Sequence, residues 1–161
     1  MTDQGSGRRD LAAMLQPLVR ALVAAELPVL ARHGISMWGY VVLNALDGGP
    51  ARTQAALAQA IGADKTRIIG VLDELQEARF ITREPDPADR RARLLSITPA
   101  GHRIRVATRA EIQGNENRVL SRLPAADRRA FLRAVEMLSG LSPDEIAAPQ
   151  TAGPDAAFPS A

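Results

Sequence analysis

The 161-residue chain has no cysteine, one lysine, one tryptophan, one tyrosine and two histidines. Without cysteine there are no disulfides, thiolate nucleophiles, thiol redox sensors or cysteine zinc sites. With only His33 and His102 as imidazole ligands, neither a metal site nor a cofactor is expected. A glycine-rich phosphate loop, a G-x-S-x-G turn and an H-E-x-x-H pair are also missing, so an enzyme is not expected. No apolar run approaches the ~18 residues of a membrane span, so a transmembrane helix is excluded, and no charged-then-apolar start resembles a secretory signal. A cytoplasmic protein with no membrane partner is the expectation.

What is present is a hydrophobic fraction of 46%, enough to fill a core at this length. Net charge is only +2, but it is unevenly spread. Residues 52–109 carry eleven basic and seven acidic side chains, whereas residues 140–161 carry three acidic and no basic ones. All the basic residues except Lys65 are arginine. Codon bias in a GC-rich genome explains the arginine-to-lysine ratio, but not the clustering. A basic middle segment suits an anionic partner, since guanidinium is always charged and binds phosphate or guanine in a bidentate way.

Residues 1–8 and 147–161 are polar or proline-rich and cannot offset their ordering entropy, so both ends are expected to be disordered. Leu11, Leu15, Leu18 and Leu22 fall at spacings of four, three and four, one face of a long first helix. Pro17 and Pro28 leave two alternatives, a start at Pro17 or a kink at Pro28. Gly34 suits the end of that helix and Ser36 the cap of a second one running to Asp47. Thr53 caps a short third helix that Gly62 ends, and Asp64 caps a fourth with Ile68, Val71, Leu72 and Leu75 on one face. Lys65, Thr66, Arg67 and Ile69 lie on or near its opposite or leading side.

Two short helices joined by a glycine turn make a helix-turn-helix. The following FITREPDPADRRARLLSIT reads as a hairpin with an arginine-loaded tip. Thr98 then caps a helix with Pro99 at its first position, and Pro124 opens a last helix burying Phe131, Val135 and Leu138 before Gly140. The fold expected is mainly α with a small β-hairpin wing, a winged helix-turn-helix flanked by N- and C-terminal dimerisation helices. Its divisions are 1–8 disordered, 9–35 dimerisation helix, 36–98 DNA-binding region, 99–141 C-terminal helices and 142–161 disordered tail. The second helix of such a unit fits the major groove of double-stranded DNA, and the hairpin reaches the flanking minor groove, whose negative potential attracts arginine.

The strings TQAALAQAIGADKTRIIGVLDELQEARFITR and DPADRRARLLSITPAG resemble the MarR family of bacterial transcriptional regulators, over about residues 10–141. The most specific part runs from Asp89-Arg90-Arg91 through Leu95, Ile97 and Thr98 to Gly101. The resemblance implies a homodimer on a pseudo-palindromic operator, acting as a repressor and released by a small aromatic or phenolic ligand. By residue, it makes Arg91 the minor-groove arginine, Asp89 the acid that orients it, and Lys65, Thr66 and Arg67 the start of the recognition helix. The candidate DNA-binding set is Thr53, Gln54, Asp64, Lys65, Thr66, Arg67, Asp89, Arg90, Arg91 and Arg93. Leu11, Leu15, Leu18, Leu22, Phe131, Val135 and Leu138 read as core or dimer face.

Two residues depart from the family pattern. Gly70, inside the recognition helix, allows close approach of either DNA or a neighbouring helix. Arg79 stands where the family has glycine, requiring either a left-handed arginine or a different exit. Arg103, Arg105, Arg109, Arg128 and Arg129 read as a solvated face. His33, Trp38 and Tyr40 lie where the family's effector pocket would be, although a core aromatic and a helix-end histidine explain Trp38 and His33 equally well. The alternative function is a winged-helix interaction or dimerisation module without specific DNA binding. It predicts neither steep salt dependence nor a need for Arg91.

Overall fold

The computed structural model describes residues 7, 9–51, 53–89 and 91–147. The chain divides into two compact units, Met1–Arg118 and Val119–Ala161. The first unit begins with α1, Leu11–Arg32, which contains both prolines. The helix therefore starts six residues before Pro17 rather than at it. Pro17 has no N–H to offer the carbonyl of Ala13, and that oxygen accepts a long bond from the Arg9 guanidinium at 3.5 Å.

α1 also corrects the exclusion of a membrane-spanning helix. It is long and apolar enough to cross a membrane by length and composition alone, with 22 residues that include an 18-residue stretch of mean hydropathy 1.4. Arg20 and Glu26 interrupt the run, but the many Leu, Val and Ala residues keep its average high.

Three helix exits share one device. α1 ends with Gly34 left-handed (φ 66°), its N–H bonded to Ala31 and that of Ile35 to Leu30. α3, Gln54–Ala60, ends the same way at Gly62 (φ 65°). α4, Lys65–Glu77, ends with Arg79 in that role. Arg79 is left-handed at φ 59°, with its N–H on Gln76 and that of Phe80 on Leu75. The exit is thus kept and the Cβ strain, about 1–2 kcal/mol, is absorbed.

α2, Met37–Asp47, follows the Ser36 cap. Strands β1, Ile81–Pro85, and β2, Arg93–Ile97, pair antiparallel from Ile81↔Ile97 to Pro85↔Arg93. Ala51 adds a single bridge to Leu95, tying the α2–α3 turn to the wing. The core joins the end of α1 to the wing through Leu30, Val42, Leu43, Leu57, Ile68, Leu72, Ile81 and Leu95.

α5 spans Pro99–Leu120. Arg105 on it is not solvated, as the sequence suggested, but 6% exposed. Its guanidinium meets the Asp47 carboxylate at 2.6 Å, and His102 meets the other oxygen at 2.8 Å. The acid at the end of α2, a long-range partner, holds the arginine in a buried position while itself staying open to solvent. Nearer α1, Glu111 accepts from Arg32 and from His33 (3.0 Å). Arg32 holds the Glu111 carboxyl below its ordinary range, and His33 adds to this.

In the second unit, Pro124 is the cap of α6, Ala125–Ser139, rather than its first residue. Phe131 is half-buried, while Val135 and Leu138 are exposed. Arg128, expected to be solvated, is half-buried. The tail expected to be disordered holds a further helix, α7, Pro143–Ala147. Ser142 and Glu145 cap it reciprocally, the Ser142 N–H donating to the carboxylate at 2.7 Å. That S-x-x-E box was legible and outweighs the local proline content. The expectations for residues 1–6, 8 and 148–161 lie outside the described residues.

Candidate nucleic-acid interface

Asp64 and Thr53, both expected at the interface, are occupied as helix caps. The Asp64 carboxylate accepts from the N–H groups of Thr66 (2.8 Å) and Arg67 (3.3 Å). These bonds hold its carboxyl below the usual range. Thr53 accepts from Ala56 N–H at 2.9 Å. Each fixes the direction in which its helix leaves the turn, so that the first turn of α4 presents Thr66 and Arg67 to solvent. The Arg67 guanidinium lies over the Trp38 ring, 5.8 Å from its centroid, near the outer limit of a cation–π contact.

Between the strands, the wing tip folds on its aspartates. Asp86, 6% exposed, accepts from Ala88 N–H at 2.8 Å, and its own N–H donates to the Ala92 carbonyl. Asp89 accepts from the backbone N–H of Arg91 at 3.0 Å. The acid thus sets the backbone of Arg91 by an Asx turn. Among the described residues, the Arg91 and Arg93 guanidiniums have no carboxylate partner, and both are exposed. Arg90 and the Lys65 side chain lie outside the described residues.

Gln54, Gln76, Arg83 and Arg93 line one open cavity, which joins the starts of α3 and β2 to the end of α4. Sequence reasoning missed Arg83. It pairs with Asp73 at 2.7 Å, and its Nε is buried with no partner among the described residues. Alternation in β1 was the available signal, since Ile81 and Arg83 share a face. Two guanidiniums and two amides around a concavity are donors suited to an anion such as a phosphate.

The three candidate effector residues have separate partners. His33 is bound to Glu111, Trp38 faces Arg67, and Tyr40 packs on the core.

Residues 33–92 match the model of the MarR family. The chain is 27% identical over 126 residues to the HTH-type transcriptional repressor Rv2887 of Mycobacterium tuberculosis, covering 78% of this chain and 86% of that one. It is 27% identical over 99 residues to the transcriptional regulator HosA of Escherichia coli O111:H-, covering 62% and 73%. Two solved structures share the fold. One is Rv2887 in complex with p-aminosalicylic acid (TM-score 0.70, 23% identity, 82% of this chain and 100% of that one). The other is the repressor CouR, of Rhodococcus jostii RHA1, bound to a 23-mer DNA duplex (TM-score 0.68, 22% identity, 86% and 99%).

Proposed function

Starting from a chain that carries a MarR-family winged-helix domain of the transcriptional regulators, we propose that it is a sequence-specific DNA-binding repressor working as a homodimer on a pseudo-palindromic operator. The observation that carries this reading is the two exposed arginines at the wing, Arg91 and Arg93, which have no carboxylate partner among the described residues. Adjacent guanidiniums repel, and a hairpin tip gains nothing structural from them. A phosphate backbone or a narrow minor groove supplies the missing negative charge. Thr66 and Arg67 read base edges in the major groove, while Gln54, Arg83 and Arg93 receive a backbone phosphate.

Dimerisation is supported by apolar surface in each unit. On α1, Leu11 and Leu15 are 48% and 37% exposed, and Leu18 and Leu22 are half-buried. On α6, Val135 and Leu138 are 44% and 55% exposed beside Phe131. These residues do not belong to the core cluster, and a second copy covering them removes apolar area from water.

A small aromatic effector completes the proposal, supported by the p-aminosalicylic acid bound to Rv2887 and the p-coumaroyl-CoA bound to CouR. Contact at Trp38 reaches the recognition helix directly, because Arg67 rests on that ring. His33 and Tyr40 are the other candidate contacts.

The test is selection of duplexes from a randomised pool by the full-length protein, with the mass of the complex measured by light scattering. One symmetric motif with half-sites about 10 base pairs apart, bound by two copies, is expected. No enriched motif would overturn the reading in favour of an interaction module.

A further inference from the structure

Two successive positions on α4, Ile69 and Gly70, leave surface that the chain's own packing does not cover. The buried face of this helix takes Ile68, Leu72 and Leu75, at 2%, 0% and 4% exposure, yet Ile69 is 47% exposed. At Gly70, an added Cβ would meet no atom within 4 Å beyond its chain neighbours and the backbone of its own helix, among the described residues. Its backbone is helical, and it is not among the residues with positive φ. Neither a left-handed conformation nor a neighbouring helix requires glycine there, although glycine inside a helix is less stable than alanine.

Thr66, Ile69, Gly70 and Asp73 are spaced three, one and three, so they share the outward side of α4. Asp73 is held by Arg83 at the far end of this stripe, and Arg67 is held by Trp38 beside its start. A single exposed isoleucine is ordinary on a protein surface. Next to a glycine that the fold does not need, on the helix assigned to the major groove, it gains a chemical meaning. The apolar group that base edges display in that groove is the C5-methyl of thymine.

We infer that Ile69 packs on a thymine C5-methyl in each operator half-site. Gly70 supplies the bare helix surface that lets α4 approach the base edges closely enough for that contact. The inference rests on the DNA-binding reading above and adds to it a base and the residues that select it.

The experiment uses the full-length protein and the duplex enriched from the randomised pool. Each thymine is replaced in turn by deoxyuridine, which lacks only the methyl group. One symmetry-related pair of positions is expected at which replacement weakens wild-type binding about fourfold per methyl. Ile69→Ala binds the parent duplex more weakly and is indifferent to deoxyuridine at those positions. Gly70→Ala raises the melting temperature of the free protein while weakening binding roughly tenfold, because the new methyl overpacks the interface. A deoxyuridine scan with the same profile for wild type and Ile69→Ala overturns the inference. So does a Gly70→Ala protein that binds as tightly as wild type. Failure to enrich any duplex overturns the regulator reading and this inference with it, whereas enrichment with a flat scan overturns this inference alone.

Discussion

Gly101 lies so close to Phe80 that a Cβ on the glycine would sit 2.1 Å from the Phe80 carbonyl oxygen and 3.0 Å from Ile97 Cγ1. Thr98 closes the same junction. Its hydroxyl donates to the Arg79 carbonyl at 2.8 Å and accepts from Gly101 N–H at 3.0 Å, while its N–H bonds Phe80 at 2.9 Å. The exit of the recognition helix and the start of α5 are thereby fixed to each other. Gly101→Ala must displace backbone rather than a flexible side chain, and we expect it to cost about 3 kcal/mol or more in thermal or urea unfolding. A variant as stable as wild type would show that the close approach is not needed.

The Asp47–Arg105 pair yields an ordering. The Arg105 side chain is 7% exposed and that of Asp47 31% exposed. Asp47→Ala leaves a buried guanidinium with no carboxylate and only a long bond to Asn44 at 3.4 Å, and is expected to cost about 3 kcal/mol or more. Arg105→Met leaves the better-solvated carboxylate beside His102 and fills the space with apolar atoms, at an expected cost of about 1 kcal/mol. Equal losses, or the reverse order, in urea unfolding would contradict this account.

Glu26 on α1 is half-buried, and burial, with a smaller contribution from the Glu116 carboxylate, raises its pKa above the ordinary carboxyl value. The folded state therefore binds the proton at higher pH than the unfolded state does. Stability from this group is present below the ordinary carboxyl range, falls as pH rises through the raised pKa, and stays lost at neutral pH. Glu26→Gln is expected to melt at higher temperature than wild type at pH 7, with the gain shrinking as the solution is acidified through that range. A gain that persists unchanged at acid pH would show that charge is not its source.

Much of this arrangement was legible locally. The caps at Ser36, Thr53 and Asp64, the glycine exits at Gly34 and Gly62, and the hairpin around Asp86–Asp89 are short-range hydrogen-bond patterns written in neighbouring residues. The recognition-helix face followed from helical spacing. What was not legible depends on distant partners. Arg105 is buried because Asp47 faces it from α2, and Arg83 is half-buried because Asp73 meets it from α4. His33 and Trp38 resemble one cluster in sequence, yet Glu111 and Arg67 take them separately. Gly70 left two readings open, and its empty surroundings remove the neighbouring-helix one.

The most direct test of the central claim is the salt dependence of binding to the enriched duplex, measured for wild type and Arg91→Ala with A·T-rich and G·C-rich flanks. The account predicts a steep log–log loss of wild-type affinity with salt, a shallower slope for Arg91→Ala, and the largest effect of the mutation on A·T-rich flanks. A salt-independent wild type, or an Arg91→Ala protein with unchanged affinity and slope on both flanks, would contradict it.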